Sequence, residues 1–146
     1  MITAEPLPLQ ILFEQDETAW LETMAQLAAE GRLAEMDHVN LSEYLADMAK
    51  RDRREVLSRL VVLLVHLLKW EHQPEHRSGS WQATILKQRR ALRKLLDSGT
   101  LHAHAFAVLA EAYADARKQA AAETGLARSA FPDECAWDLD GLLADD

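Results

Sequence analysis

Few residues in this chain could do chemistry, and most of them stand apart. His66 lies inside the most apolar run, Leu60 to Leu68. An imidazole placed there needs a hydrogen-bond partner for its N–H. Tyr113, Glu43 and Asp115 are the side chains expected to reach it across a bundle. His66, Asp115 and Glu43 are therefore a candidate buried polar site. Metal sites in bundles use inward carboxylates with Glu-x-x-His spacing. The residue three before His66 is Leu63, so that pattern is missing. His66 reads first as a core histidine, with a ligand or general-base role as the alternative. His72 and His76 are four apart but Pro74 separates them, and His102 and His104 are two apart on a helix, pointing in different directions. The sequence holds no Cys-rich cluster, HExxH, Gly-rich phosphate loop or G-x-S-x-G. No metal and no cofactor are expected.

The most suggestive polar pattern is Tyr113, Asp115 and Arg117. Residues 113 and 117 are one turn apart and share a helix face, while Asp115 points elsewhere. Two readings stand. Tyr113 or Asp115 pairs with Arg89 or Arg90 of a neighbouring helix and fixes register. Alternatively Arg89, Tyr113 and Arg117 build a small anion or polar-ligand pocket. Cys135 is the only cysteine, so no intrachain disulfide can form and a reducing compartment is implied. Beside Glu134 its thiol pKa should be raised, which does not suit a nucleophile.

Charge is distributed unevenly. Residues 1–49 carry ten acids and one base, residues 50–94 twelve bases and four acids, and residues 95–146 three bases and ten acids. The simplest expectation is internal compensation, acidic helices lying beside a basic one. The alternative is a basic face for an acidic partner. Arg51, Arg53, Arg54, Lys87, Arg89, Arg90, Arg93 and Lys94 could neutralise several phosphates. A sequence pI near 5.2 and the lack of a helix-turn-helix or stacking-aromatic motif weigh against nucleic acid.

The elements that must position these groups are helical. The 146 residues include 24 Ala and 24 Leu but only 15 Val, Ile and Thr together. That balance favours helices over strands. Hydrophobic content of 49% argues against disorder. The spacing predicts one domain over 1–146: an arm over 1–15, a bundle over 16–125 and an acidic tail over 126–146 packed back on it. The arm should pack through Leu9, Leu12 and Phe13. Asp16 caps the first helix and Gly31 ends it. A capping box at Asn40 and Glu43 opens a second helix, read first as continuous from about 41 to 71; the alternative is a break near Arg51, with Asp52 and Glu55 as a second capping box. Pro74 stops it. A third helix starts after Ser78 or Ser80, and a fourth runs from about Leu101 to Thr124, with Gly125 ending it. A short capped turn follows over Asp138 to Leu143. The fold class expected is all-α, an antiparallel four-helix bundle with a long central helix. Leu60, Leu64, Leu67, Trp70, Trp81, Ile85 and Leu109 should form its core.

Six motifs in order carry a family resemblance: Leu64-Val65-His66-Leu67-Leu68-Lys69-Trp70 with Gln73-Pro74-Glu75; Ser80-Trp81; Gln88-Arg89-Arg90; Ala112-Tyr113-Ala114-Asp115-Ala116-Arg117; Glu123-Thr124-Gly125-Leu126; and Phe131-Pro132-Asp133-Glu134-Cys135. Over about residues 14 to 143 the chain resembles the bacterial domain-of-unknown-function family numbered 29. The resemblance implies an all-α bundle without an established activity. Ala46, Ala49, His76 and Ala136 depart from that pattern, where Glu, Gly, Arg and Pro are more usual.

The expected function is that of a cytoplasmic, noncatalytic interaction or structural module with a protein partner. Nucleic acid is the first alternative, and a small-ligand or metal-dependent bundle enzyme the second. The longest apolar run is nine residues, Leu60 to Leu68, whereas a membrane span needs about 20, so no membrane role is expected.

Overall fold

The computed structural model describes residues 7–144, all of whose regular structure is helical. The α-helices are α1 (Leu9–Gln15), α2 (Glu17–Ala29), α3 (His38–His72), α4 (Gly79–Leu95), α5 (Gly99–Thr124) and α6 (Leu139–Leu143). Short 3-10 turns occupy Leu33–Glu35, Pro74–His76 and Arg128–Ala130. The described residues form two compact units, the first ending at Ala49 and the second beginning at Lys50.

In the first unit the expected arm is corrected. Its residues 1–6 lie outside the described residues, and Leu9–Gln15 is helix. Pro8 supplies the reason: its fixed φ of −52° precedes the first turn, and its carbonyl accepts from Leu12 N–H at 2.9 Å. Leu9, Leu12 and Phe13 do pack, against a small core of Trp20, Met24 and Leu27. Asp16 caps α2 through Ala19 N–H. Gly31, at φ +71°, ends it as expected, with Arg32 N–H reaching back to the Leu27 carbonyl at 2.9 Å.

The start of α3 is also corrected. Asn40 is inside the helix and Asp37 caps it, accepting from Asn40 N–H at 3.3 Å. Asp37 is better placed because Met36 and Leu41 then sit at the two staple positions, and both pack on the same core. From there α3 runs unbroken through Arg51, as expected.

The second unit has the larger core. Val56, Leu60, Leu63, Leu64, Leu67 and Leu68 of α3 meet Ile85 and Leu92 of α4 and the small residues Ala105, Ala112, Ala116 and Ala120 of α5. Trp70 and Leu109 are half-buried at its edge. Trp81 lies outside it, capped instead by the Lys69 ammonium at 4.8 Å from its ring. Ser78 and Ser98 cap α4 and α5. Gly125 closes α5 at φ +76°, and Asp138 caps α6. Phe131, Leu139 and Leu142 of the tail belong to this core.

Candidate interaction surface

The residues predicted to hold a ligand grip the tail. Tyr113 Oη donates to the Pro132 carbonyl. Arg117 donates from Nε to the Arg128 carbonyl at 3.1 Å and from Nη2 to Asp133 at 2.9 Å. Arg89 stands elsewhere on the same tail, its Nε donating to the Leu142 carbonyl at 2.9 Å. Arg93 donates to Leu143 at 2.8 Å. Tyr113 and Arg117 are thus brought to one segment, 128–133, and Arg89 to another, at α6. Arg89 is only 6% exposed. It continues the buried ridge of Ile85, Leu92 and Leu96 rather than the solvated side, because α6 offers its carbonyls there. Burial pushes the Tyr113 hydroxyl above its ordinary pKa.

The candidate buried polar site is corrected. His66 is half-buried, and Glu43 and Asp115 are exposed. The partner of His66 is neither a carboxylate nor Tyr113. Its Nδ1–H donates to the Val62 carbonyl one turn back, at 2.8 Å. That carbonyl lies within reach of its own helix, so no group need cross the core. His72 packs its ring edge on Phe131 at 5.0 Å, while His76 lies beyond Pro74 in a 3-10 turn. Among the described residues no three His, Cys, Asp or Glu side chains converge as a metal site. Cys135 is half-buried, donates to the Trp137 carbonyl at 3.2 Å, and has its pKa raised by burial.

What remains open is the outer face of α4. Ala83, Leu86, Lys87, Arg90 and Arg93 line a recess of about 470 Å³. Leu86 is 49% exposed in its midst. Among the described residues Lys87, Arg90 and Lys94 make no ion pair. The same holds for Lys50, Arg51, Arg53 and Arg54. Of the basic segment, Arg59 pairs with Glu55 and Lys69 with Glu123. Among the described residues, direct compensation of the basic segment is therefore partial. A second recess, of about 450 Å³, runs along α5 beside the tail, between Phe106, Leu109, Tyr113, Cys135 and Trp137. Phe106 is 74% exposed at its mouth.

One family model, described as a domain of unknown function, DUF29, matches residues 12–146. The chain belongs to the DUF29 family. No curated protein and no solved structure matches it. No described helix of this DUF29 chain is long and apolar enough to cross a membrane.

Sequence reasoning missed one polar cluster in the DUF29 chain. Asp37 is 4% exposed and receives Trp20 Nε1–H at 3.2 Å and Asn40 Nδ2–H at 2.7 Å. Burial pushes its carboxyl up, but the bonds from Asn40 and Trp20 more than offset this and hold it below the usual range. A signal was present: Asp37 is as good a helix cap as Asn40, and Met36 before it completes a staple.

Proposed function

We propose that the chain is a noncatalytic interaction module of the bacterial cytoplasm, presenting the cationic face of α4 to an acidic protein surface. The carrying observation is Leu86, half-exposed among Lys87, Arg90 and Lys94, three cations without an ion pair among the described residues. An apolar anchor ringed by charge suits a protein partner, because the anchor supplies burial and the rim supplies orientation. A lone Cys135 supports a reducing compartment. A small-anion site at Arg89, Tyr113 and Arg117 has less support, since each of the three donates to a tail carbonyl.

A second reading is nucleic-acid binding. It draws on the same α4 cations and on Lys50, Arg53 and Arg54, which line a recess with His104. One titration separates the two. A labelled polyglutamate and a labelled DNA duplex are each added to the wild-type chain at physiological salt. The module reading expects polyglutamate to bind, Arg90→Glu with Lys94→Glu to abolish that binding, and duplex binding to be weak. Submicromolar duplex binding with a steep salt slope would overturn it.

A further inference from the structure

We infer that the chain pairs with a second copy of itself, the first part of α3 in one copy lying along α4 of the other. This names the partner of the interaction module and rests on that reading. Two exposed faces of opposite character occur on the same chain. On α3, Val39 is 79% exposed, and the exposed acids Glu43 and Asp47 follow it at steps of four residues. On α4, Leu86 is 49% exposed, and the exposed cations Arg90 and Lys94 follow at the same steps. Residues four apart form one ridge of a helix surface. With the two helices parallel, a single register sets Val39 against Leu86, Glu43 against Arg90 and Asp47 against Lys94. None of these four charged side chains makes an ion pair among the described residues.

The neighbouring residues fit the same pairing. Lys87 adds a cation beside the basic ridge, three residues before Arg90 and seven before Lys94. The wider balance agrees, with ten acids and one base over residues 1–49 against twelve bases and four acids over residues 50–94. Each copy carries both faces, so each has an acidic ridge to offer the other's basic one. The apolar pairs contribute burial, while the charges set the register and steer encounter.

The experiment is sedimentation velocity on the full chain, from low to high micromolar, in low and high salt. The expected result is a dimer that weakens as salt screens the charges. Two variants carry the test, Glu43→Arg with Asp47→Lys, and Arg90→Glu with Lys94→Glu. All four sites are exposed, and circular dichroism checks that helicity is kept. Each variant alone should associate about tenfold more weakly or less. Mixed, the two restore opposite charge at both contacts, so a mixed dimer should recover. A wild-type chain that stays monomeric at high concentration in low salt overturns the pairing, as does association that neither variant weakens. Failure here leaves polyglutamate binding in place, whereas failure of the module reading removes both.

Discussion

The indole N–H of Trp20 donates to the carboxylate of Asp37, and both side chains are buried. The same carboxylate caps α3 through Asn40 N–H, so one residue ties α2 to the start of the next long helix. Asp37→Ala removes the cap and leaves the indole N–H without its acceptor. The expected loss is about 1–3 kcal/mol in the first unit. Hydrogen exchange should show it as faster exchange over residues 17–44, with residues 56–68 unchanged. The pH dependence has a definite sign. The Asp37 carboxyl titrates below its ordinary value. Its contribution is therefore complete above about pH 4 and is lost as pH falls through the lowered folded value. In Asp37→Asn that acid-side loss should disappear. An unchanged acid limb would show that the carboxylate does not stabilise this unit.

Tyr113 and Arg117 hold the segment that follows α5. Tyr113→Phe deletes the donor to Pro132 and should destabilise by about 1 kcal/mol. Arg117→Ala removes bonds to the Arg128 carbonyl and Asp133. Limited proteolysis should cut both variants faster between residues 126 and 136 than the wild type. Because the Tyr113 pKa is raised, its contribution is present below about pH 10 and is lost as pH rises through the folded value. Equal cutting rates would mean that Phe131 alone anchors the segment.

The chain shows clearly where helices begin and end when local chemistry decides it. Asp16, Ser78, Ser98 and Asp138 each cap as their residue type predicts, and Gly31 and Gly125 adopt positive φ. Two capping residues three apart, Asp37 and Asn40, were not separable by type alone. Tertiary contact with Trp20 decides between them. Arg89 was unreadable for a related reason. An arginine on an apolar ridge is ordinarily solvated, and α6, some fifty residues later, supplies an acceptor for it in the buried position. The polar site resisted reading because His66 finds a carbonyl on its own helix, which no side-chain pattern records.

Leu64 is fully buried where α3 meets the rest of the second core. Leu64→Ala should cost about 2–5 kcal/mol by urea unfolding, the range depending on how far the cavity collapses. Phe106→Ala, at a side chain 74% exposed, should change stability by less than about 0.5 kcal/mol. Similar values for the two would mean that α5 is rotated relative to this core.

His66 distinguishes a structural histidine from a ligand. Its Nδ1–H is occupied by Val62, and its neighbours on α3 include the buried Leu63, Leu67 and Leu68. Because the acceptor is a carbonyl already serving the helix ladder, losing the imidazole strands no donor or charge elsewhere. His66→Leu should therefore be tolerated within about 1 kcal/mol, since the new side chain extends the adjoining apolar surface. His66→Ala should cost more, by the packing removed, yet less than Leu64→Ala, because the site is only half-buried. A ligand role forecasts otherwise. Elemental analysis of the native protein would then find about one equivalent of a transition metal, lost in His66→Leu. The expected result is no stoichiometric metal. Finding one that depends on His66 would turn the module into a candidate enzyme, since a metal held by imidazole can polarise substrate or activate water.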